Sequence, residues 1–328
     1  MEKGYLHISF NDFVFVYLRG IIWSTSGLSQ PSNLDKLTCE QLRIIYESID
    51  TTKLLVIDCK GVNSITDHAL DVLFKSISQH QREIAFINYQ QIEERLASAK
   101  KEFCEGFNVT NCDHHFSIYK MNLKKEFTTD DSAVLAKQII QNIQNFISQS
   151  FQKFSNPNFK RLSSTPILAS GEYDASILIS NPASFYWITI TLLEKVESII
   201  QEYQIGKQNS PAKLLSVSLR GAPFASAIGL LGGFQVECID HLGPINPYVK
   251  FDDNEVSKSE YVYIGDFVFG GTEIKVSKNY VHLKESILNH AVSVGSLFPT
   301  ETFKDFDLHS LVILSDIDKQ AQYKLFES

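Results

Sequence analysis

The sequence contains no run of about 18 uncharged apolar residues, so it predicts no membrane-spanning helix. It also lacks any cluster of Lys and Arg. Its 30 basic residues stand against 38 acidic ones, for a net charge of -8. Neutralising nucleic-acid phosphates needs clustered cations, so no nucleic-acid partner is expected. Cysteine is scarce and scattered: Cys39, Cys59, Cys104, Cys112 and Cys238 show no paired metal spacing. An odd count, behind an N-terminus (MEKGYLHISFNDFVFVYLRG) without signal-peptide layout, predicts reduced thiols in a cytoplasm. What is present is apolar material. With 44% hydrophobic, 12% aromatic and only 21% charged residues, the 328-residue chain can bury cores for two domains, which excludes a disordered class.

The first hundred or so residues alternate strand and helix signals. Tyr5 to Phe10 and Phe13 to Leu18 read as a hairpin around Asn11-Asp12. Cys39 to Ser48 reads as a helix and Leu54 to Asp58 as a buried strand. A turn through Gly61 to Thr66 leads to an amphipathic helix with Leu70, Leu73, Phe74 and Ile77 on one side, then a strand over Ile84 to Asn88. The stretch LLVIDCKGVNSITDHALDVLFKSISQHQREIAFIN resembles a STAS domain, the fold of anti-sigma-factor antagonists. The resemblance implies a protein-contact surface. In that family the loop carries a phosphorylatable Ser, and here Asp67 stands at that place. A fixed negative charge at a helix start suits a partner contact, while an ordinary N-cap explains Asp67 on structural grounds alone.

Cys112-Asp113-His114-His115 invites a metal hypothesis, but adjacent residues of an extended chain face opposite ways, and surface polarity explains them better. From Thr129 the pattern clears. Leu135, Ile139, Ile143, Phe146, Phe151 and Phe154 recur at helical spacing, and Ser155-Asn156-Pro157-Asn158 stops them. The boundary is therefore placed at 125/126, giving a STAS-like domain over 1–125 and a second domain over 126–328, of which 126–158 is a leading helix and linker.

In the second domain, Ile167 to Ser170 and Tyr173 to Ile179 read as a hairpin-like pair, and Ser184 to Tyr203 as a long helix. Leu214 to Leu219 reads as a strand leading through Arg220-Gly221-Ala222-Pro223 into a helix over Phe224 to Leu231. Phe234 to Ile239 and Tyr261 to Ile264 are further strands. Strands alternating with helices predict an α/β fold with a mostly parallel sheet, whose ligands sit beyond the carboxyl ends of the strands. Both Arg220-Gly221 and the loop from Asp266 to Thr272 fall there.

The segments LASGEYDASILISNPASFYWITITLLEKVESIIQEY, LLSVSLRGAPFASAIGLLGG and YVYIGDFVFGGTE are similar in order and spacing to type I phosphoribosyltransferases, above all orotate phosphoribosyltransferase. The resemblance implies that Arg220 and Gly221 form a pyrophosphate loop. It further implies that Asp266, Phe269, Gly270, Gly271, Thr272 and Glu273 form the site for phosphoribosyl pyrophosphate (PRPP), with Mg²⁺ placed through Asp266. The departures from the family are specific. Gly265 stands where the first of two acids belongs, Phe269 replaces a small or hydroxyl residue, and Glu273 puts a negative charge at the end of the phosphate loop. The expected catalytic loop, His241 to Lys250 and on through Phe251-Asp252-Asp253, offers no matching basic pair. Two readings follow. One is a regulatory or sensing protein that binds PRPP or a nucleotide at a degenerate site, with the STAS-like domain as its protein contact. The other is an active phosphoribosyltransferase of nucleotide synthesis or salvage with an altered motif. A homodimer is the expected assembly.

Overall fold

The computed structural model describes residues 7–9, 13–18, 33–34, 44, 54–69, 84–87, 91–92, 94–96, 98, 129–155, 158–162, 167–206, 212–239, 258–299, 302–317 and 322–325. The chain divides into two compact units, Met1–Ala136 and Lys137–Ser328. Among the described residues, no helix is long and apolar enough to cross a membrane.

The first unit is built on a four-stranded sheet in the order β1-β2-β4-β6. β1 (His7–Ser9) and β2 (Phe13–Tyr17) form the expected antiparallel hairpin, and β3 (Asn33–Leu34) pairs with β5 (Ser64–Ile65). β4 (Leu54–Asp58) lies parallel to both β2 and β6 (Ile84–Ile87). Val14, Val16, Val56 and Ile57 are fully buried, each contributing roughly 1.5–3 kcal/mol of apolar burial. The turn after β4 starts a helix at Asp67, but the cap is its neighbour: Thr66 Oγ1 accepts the Ala69 N–H at 3.2 Å. Asp67 is exposed and pairs with Arg95. The helices expected over 39–48 and from 70 onward, and the Cys112–His115 cluster, lie outside the described residues, Ile44 excepted.

α1 (Thr129–Gln149), which enters the second unit at Lys137, ends earlier than the apolar spacing predicts. Ser150 turns the chain, sending both its N–H and its Oγ–H to the Ile147 carbonyl at 2.9 and 2.7 Å. Phe151 then begins a strand, β7 (Phe151–Lys153), opposite Tyr173 of β10 (Gly171–Tyr173), with the two rings 5.1 Å apart. The helical reading of Phe151 and Phe154 is thus corrected, since cross-strand aromatic pairing claims Phe151. The hairpin reading of 167–179 is corrected as well. β8 (Lys160–Arg161) and β9 (Ile167–Ala169) belong to a separate antiparallel sheet with β16 (Tyr323–Leu325). After β10, Asp174 accepts the Ser176 N–H at 2.9 Å and starts a short helix, α2 (Ala175–Ser180). Asn181 closes α2 and opens α3 (Pro182–Glu202), its side chain accepting from Ala183 and Ser184 with Pro182 at the first helical position.

The centre of this unit is a five-stranded sheet in the order β12-β11-β13-β14-β15, parallel throughout. Its strands are β11 (Ala212–Val217), β12 (Gln235–Ile239), β13 (Glu260–Val268), β14 (Ile287–Ser296) and β15 (Asp307–Ile313). α3 and α4 (Ser218–Gly232) pack on the sheet, as does α5 (Thr272–Leu283), while α6 (Leu314–Ile317) follows β15. Alternation along β13 sends Tyr261 and Tyr263 into a cluster with Ile274 and Val281 of α5, and leaves Val262 and Ile264, both fully buried, on the opposite face. Near-continuous apolar strands are the signature of a sheet covered on both sides. The edge strand β12 is tied to α5 through Glu237, which accepts from Tyr261 Oη at 2.8 Å, Lys284 Nζ at 2.6 Å and Tyr280 Oη at 3.2 Å.

Candidate functional site at the carboxyl edge of the parallel sheet

β11 passes into α4 without a loop. Val217 is extended, with φ -120° and ψ 138°, and Ser218 is already helical, so Arg220 and Gly221 occupy the first turn of α4 rather than a loop. Pro223 has no N–H to return to the carbonyl four residues back, which leaves that turn held by fewer bonds than the rest. The helix start lies against β13: a Cβ at Gly221 would stand 2.7 Å from Ser216 Oγ and 3.1 Å from the Ile264 carbonyl oxygen. Arg220, in contrast, is exposed.

β13 runs further than its apolar core suggests, to Val268, so Asp266 is a strand residue and the turn begins after it. Gly271 caps α5 with φ 69°, in the left-handed region that favours glycine, and a Cβ there would meet the Phe306 ring at 2.8 Å. No side chain bonds the amide groups from this cap position. The first turn of a 12-residue helix therefore points its N–H dipoles toward the edge where Asp266 lies. Thr272 and Glu273 are exposed in that turn, while Gly270 is half-buried. Phe269 goes elsewhere, packing against a cluster of Leu162, Ile167, Ala169 and Leu297, with its ring 6.4 Å from that of Tyr323.

Electrostatics bind these pieces together. Burial pushes the Asp266 carboxyl above the usual carboxylate range, against the pull of the Phe267 N–H, its own N–H and the Arg220 charge. Glu273 is also pushed up, first by desolvation and then by the Asp266 charge, while the Tyr263 hydroxyl and Arg220 pull it down. Arg220 further lowers Asp174, where the Ser176 hydroxyl acts most strongly. The Arg220 charge thus acts on three carboxylates, in each case as the weakest of the influences named. Of the sequence-derived site residues, the structure brings Arg220, Asp266 and Glu273 within mutual electrostatic reach and sets Gly270–Thr272 beside them. The expected catalytic loop lies outside the described residues, and Asp67 belongs to the other unit.

Two residues of this edge escaped sequence reasoning. Asp174 carries the helix-start signature Asp-Ala-Ser, hidden by reading the segment as a strand. Tyr263 is 2% exposed, with its Oη 3.4 Å from Glu273 Oε2, and its ring fills the space over Gly265, where a Cβ would come within 2.8 Å of Cε1. Its position two residues before a glycine, on the same strand face, was the available signal.

No protein-family model matches the chain, and no curated protein matches it. Several solved structures resemble it. Orotate phosphoribosyltransferase from Aeropyrum pernix is 18% identical over 56% of this chain and 95% of its own, with a TM-score of 0.39. UMP synthase from Leishmania donovani is 13% identical over 87% of this chain and 54% of its own, with a TM-score of 0.40. Adenine phosphoribosyltransferase from Leishmania donovani is 16% identical over 54% of this chain and 82% of its own, with a TM-score of 0.38.

Proposed function

We propose that this chain binds PRPP or a nucleotide at the carboxyl edge of its parallel sheet and uses the site for sensing or regulation rather than for phosphoribosyl transfer. The observation that carries this reading is the placement of Arg220 within electrostatic reach of Asp266, at the strand end that leads into the glycine turn and the start of α5. Backbone amides of a glycine turn suit a phosphate monoester whatever side chains surround them. Arg220 offers a fixed positive charge to a second phosphate group, and Asp266 accepts hydroxyl protons from a pentose.

Mg²⁺ fits this donor set. Asp266 supplies hard oxygen ligands, and the ion would be shared with the ligand's own phosphate oxygens, supplying neutralising charge. Among the described residues no group of three His, Cys, Asp or Glu is placed to hold a metal ion. Transfer demands more than binding, because positive groups must meet the charge that builds on a departing pyrophosphate. Here the Arg220 charge also acts on three carboxylates, and the Tyr263 ring fills the space over Gly265, where the first acid of the pair would stand. The first unit supplies the protein contact in this reading, as a STAS-like surface on which the exposed Asp67–Arg95 pair marks the start of a helix.

Thermal shift of the full chain with PRPP and Mg²⁺, compared with nucleoside monophosphates, tests the binding. Ligand at a hundred times its dissociation constant adds about 2.7 kcal/mol, a shift easily resolved. No shift with any of these ligands refutes the binding reading. A product assay with PRPP, Mg²⁺ and a panel of bases tests the rest: turnover that Asp266→Asn abolishes would establish an active transferase and sink the sensory role.

A further inference from the structure

A carboxylate at the second position of α5 presents an electrostatic conflict. Glu273 stands one residue from the amide groups that the proposed function assigns to a phosphate, and an ionised side chain folded over them would compete with the ligand and repel it. The structure shows where the carboxylate goes instead. Its Oε2 accepts from Tyr263 Oη at 3.4 Å, which draws the carboxylate toward β13. The donor is well anchored. Tyr263 is packed among Leu215, Val217, Ile274, Leu288 and Phe306, so its ring has little freedom to follow Glu273 outward. That packing depends on the missing side chain two residues on, because Tyr263 Cε1 occupies the volume that any Cβ at 265 would need. Gly265 is not one of the glycines with positive φ, so its requirement is for space and not for backbone conformation.

We propose that Tyr263 is a positioning residue for the phosphate-binding turn: its ring, lodged over Gly265, and its hydroxyl, bonded to Glu273, hold that carboxylate against β13 and off the amides that open α5. The inference rests on the proposed function for its ligand. The loss of the first acid and the gain of Glu273 then become one linked change rather than two separate injuries. Gly265 makes room for Tyr263, and Tyr263 makes Glu273 compatible with an anionic ligand.

The test uses the full chain as wild type, Tyr263→Phe, Glu273→Gln and the double variant, with ribose 5-phosphate binding measured by calorimetry. Phe keeps the ring and removes only the hydroxyl. Tyr263→Phe should weaken binding about tenfold, while Glu273→Gln and the double variant should bind at least as well as wild type. Unchanged binding by Tyr263→Phe, or an equal loss in the Glu273→Gln background, overturns the positioning role. If the wild type binds no ribose 5-phosphate, the proposed function fails, and a ligand-free readout still judges Tyr263. Carbon-13 NMR should show the Glu273 carboxyl titrating at higher pH in Tyr263→Phe, because the hydroxyl bond that favours its ionised form is gone. An unmoved titration midpoint would show that the two side chains are not coupled.

Discussion

Gly265→Asp places a second carboxylate on β13 beside Asp266, and it should damage this protein. The new Cβ would lie 2.8 Å from Tyr263 Cε1, closer than real Cβ contacts come. The obstructing ring is 2% exposed and cannot swing into solvent, so the strain falls on packed neighbours, at about 1–3 kcal/mol. Charge adds to this. A further carboxylate joins Asp266 and Glu273 beside Arg220. For unit charges roughly 8 Å apart at an effective dielectric near 20 each pair is worth about 2 kcal/mol, so two repulsions less one attraction leave a net cost of about 2 kcal/mol. The expected loss is roughly 3–5 kcal/mol, a large fraction of the ~5–15 kcal/mol that ordinary domains possess. Urea denaturation followed by circular dichroism measures it, and an unchanged m-value would confirm that only stability moved. Gly265→Asn isolates the steric share, and acidification should bring the Asp variant toward the Asn variant. Combined with Tyr263→Val, Gly265→Asp should cost less than the sum of the two single changes by roughly 1–3 kcal/mol. Strict additivity, or a Gly265→Asp cost below about 1 kcal/mol, would refute the ring-over-glycine argument.

Two further outcomes follow from buried charge. The folded Asp266 carboxyl titrates above its unfolded value, so between the two values the native state holds the extra proton and stability falls as pH rises. Asp266→Asn should therefore melt higher than wild type at pH 7 and lose that advantage below the ordinary carboxylate value of about 3.9; a lower melting temperature at pH 7 would contradict this. At the opposite end of the strands, His290 has its ring 4.2 Å from that of Tyr203 and 6.0 Å from that of His309, with Nδ1 3.6 Å from Asp307 Oδ2. Burial lowers both histidines, against Asp307 and Glu202 and, at His290, Glu260, while Lys195 lowers His309 further. Stability should thus be lost as pH falls from about 6.5 through the lower folded values. His290→Phe should flatten the decline of melting temperature between pH 7 and 5, and an undiminished decline would refute it.

What could be read from sequence followed the strength of local periodicity. The hairpin at Phe13, the strand before Asp58 and the helix after Asn181-Pro182 each carried an apolar period together with a turn or cap residue, and each is found close to where that signal put it. Phe151 and Phe154 kept a helical spacing by coincidence, and only the partner strand at Tyr173 reveals the error. β14 and β15 were not read at all. Polar residues such as His290, Ser293, His309 and Ser310 interrupt their apolar pattern, and the Ser293–Ser310 hydroxyl pair that reconciles them, at 2.8 Å, exists only once the strands lie side by side. At the site, the glycine turn and Asp266 were visible as a motif. The role of Tyr263 was not, because it depends on a volume that two residues share.

The contact between Gly221 and β13 has a consequence for how this molecule can diverge. With Gly221 facing Ser216 Oγ, the Ile264 carbonyl and the Gly265 Cα, the approach of α4 to β13 is set largely by main chain. The spacing of α4 from β13 is consequently a dimension of the backbone, insensitive to most side-chain replacement around it. Residues such as Arg220, Asp266 and Glu273 can be exchanged over generations without moving the helix off the strand. The chemistry of this edge is free to drift while its spacing is inherited.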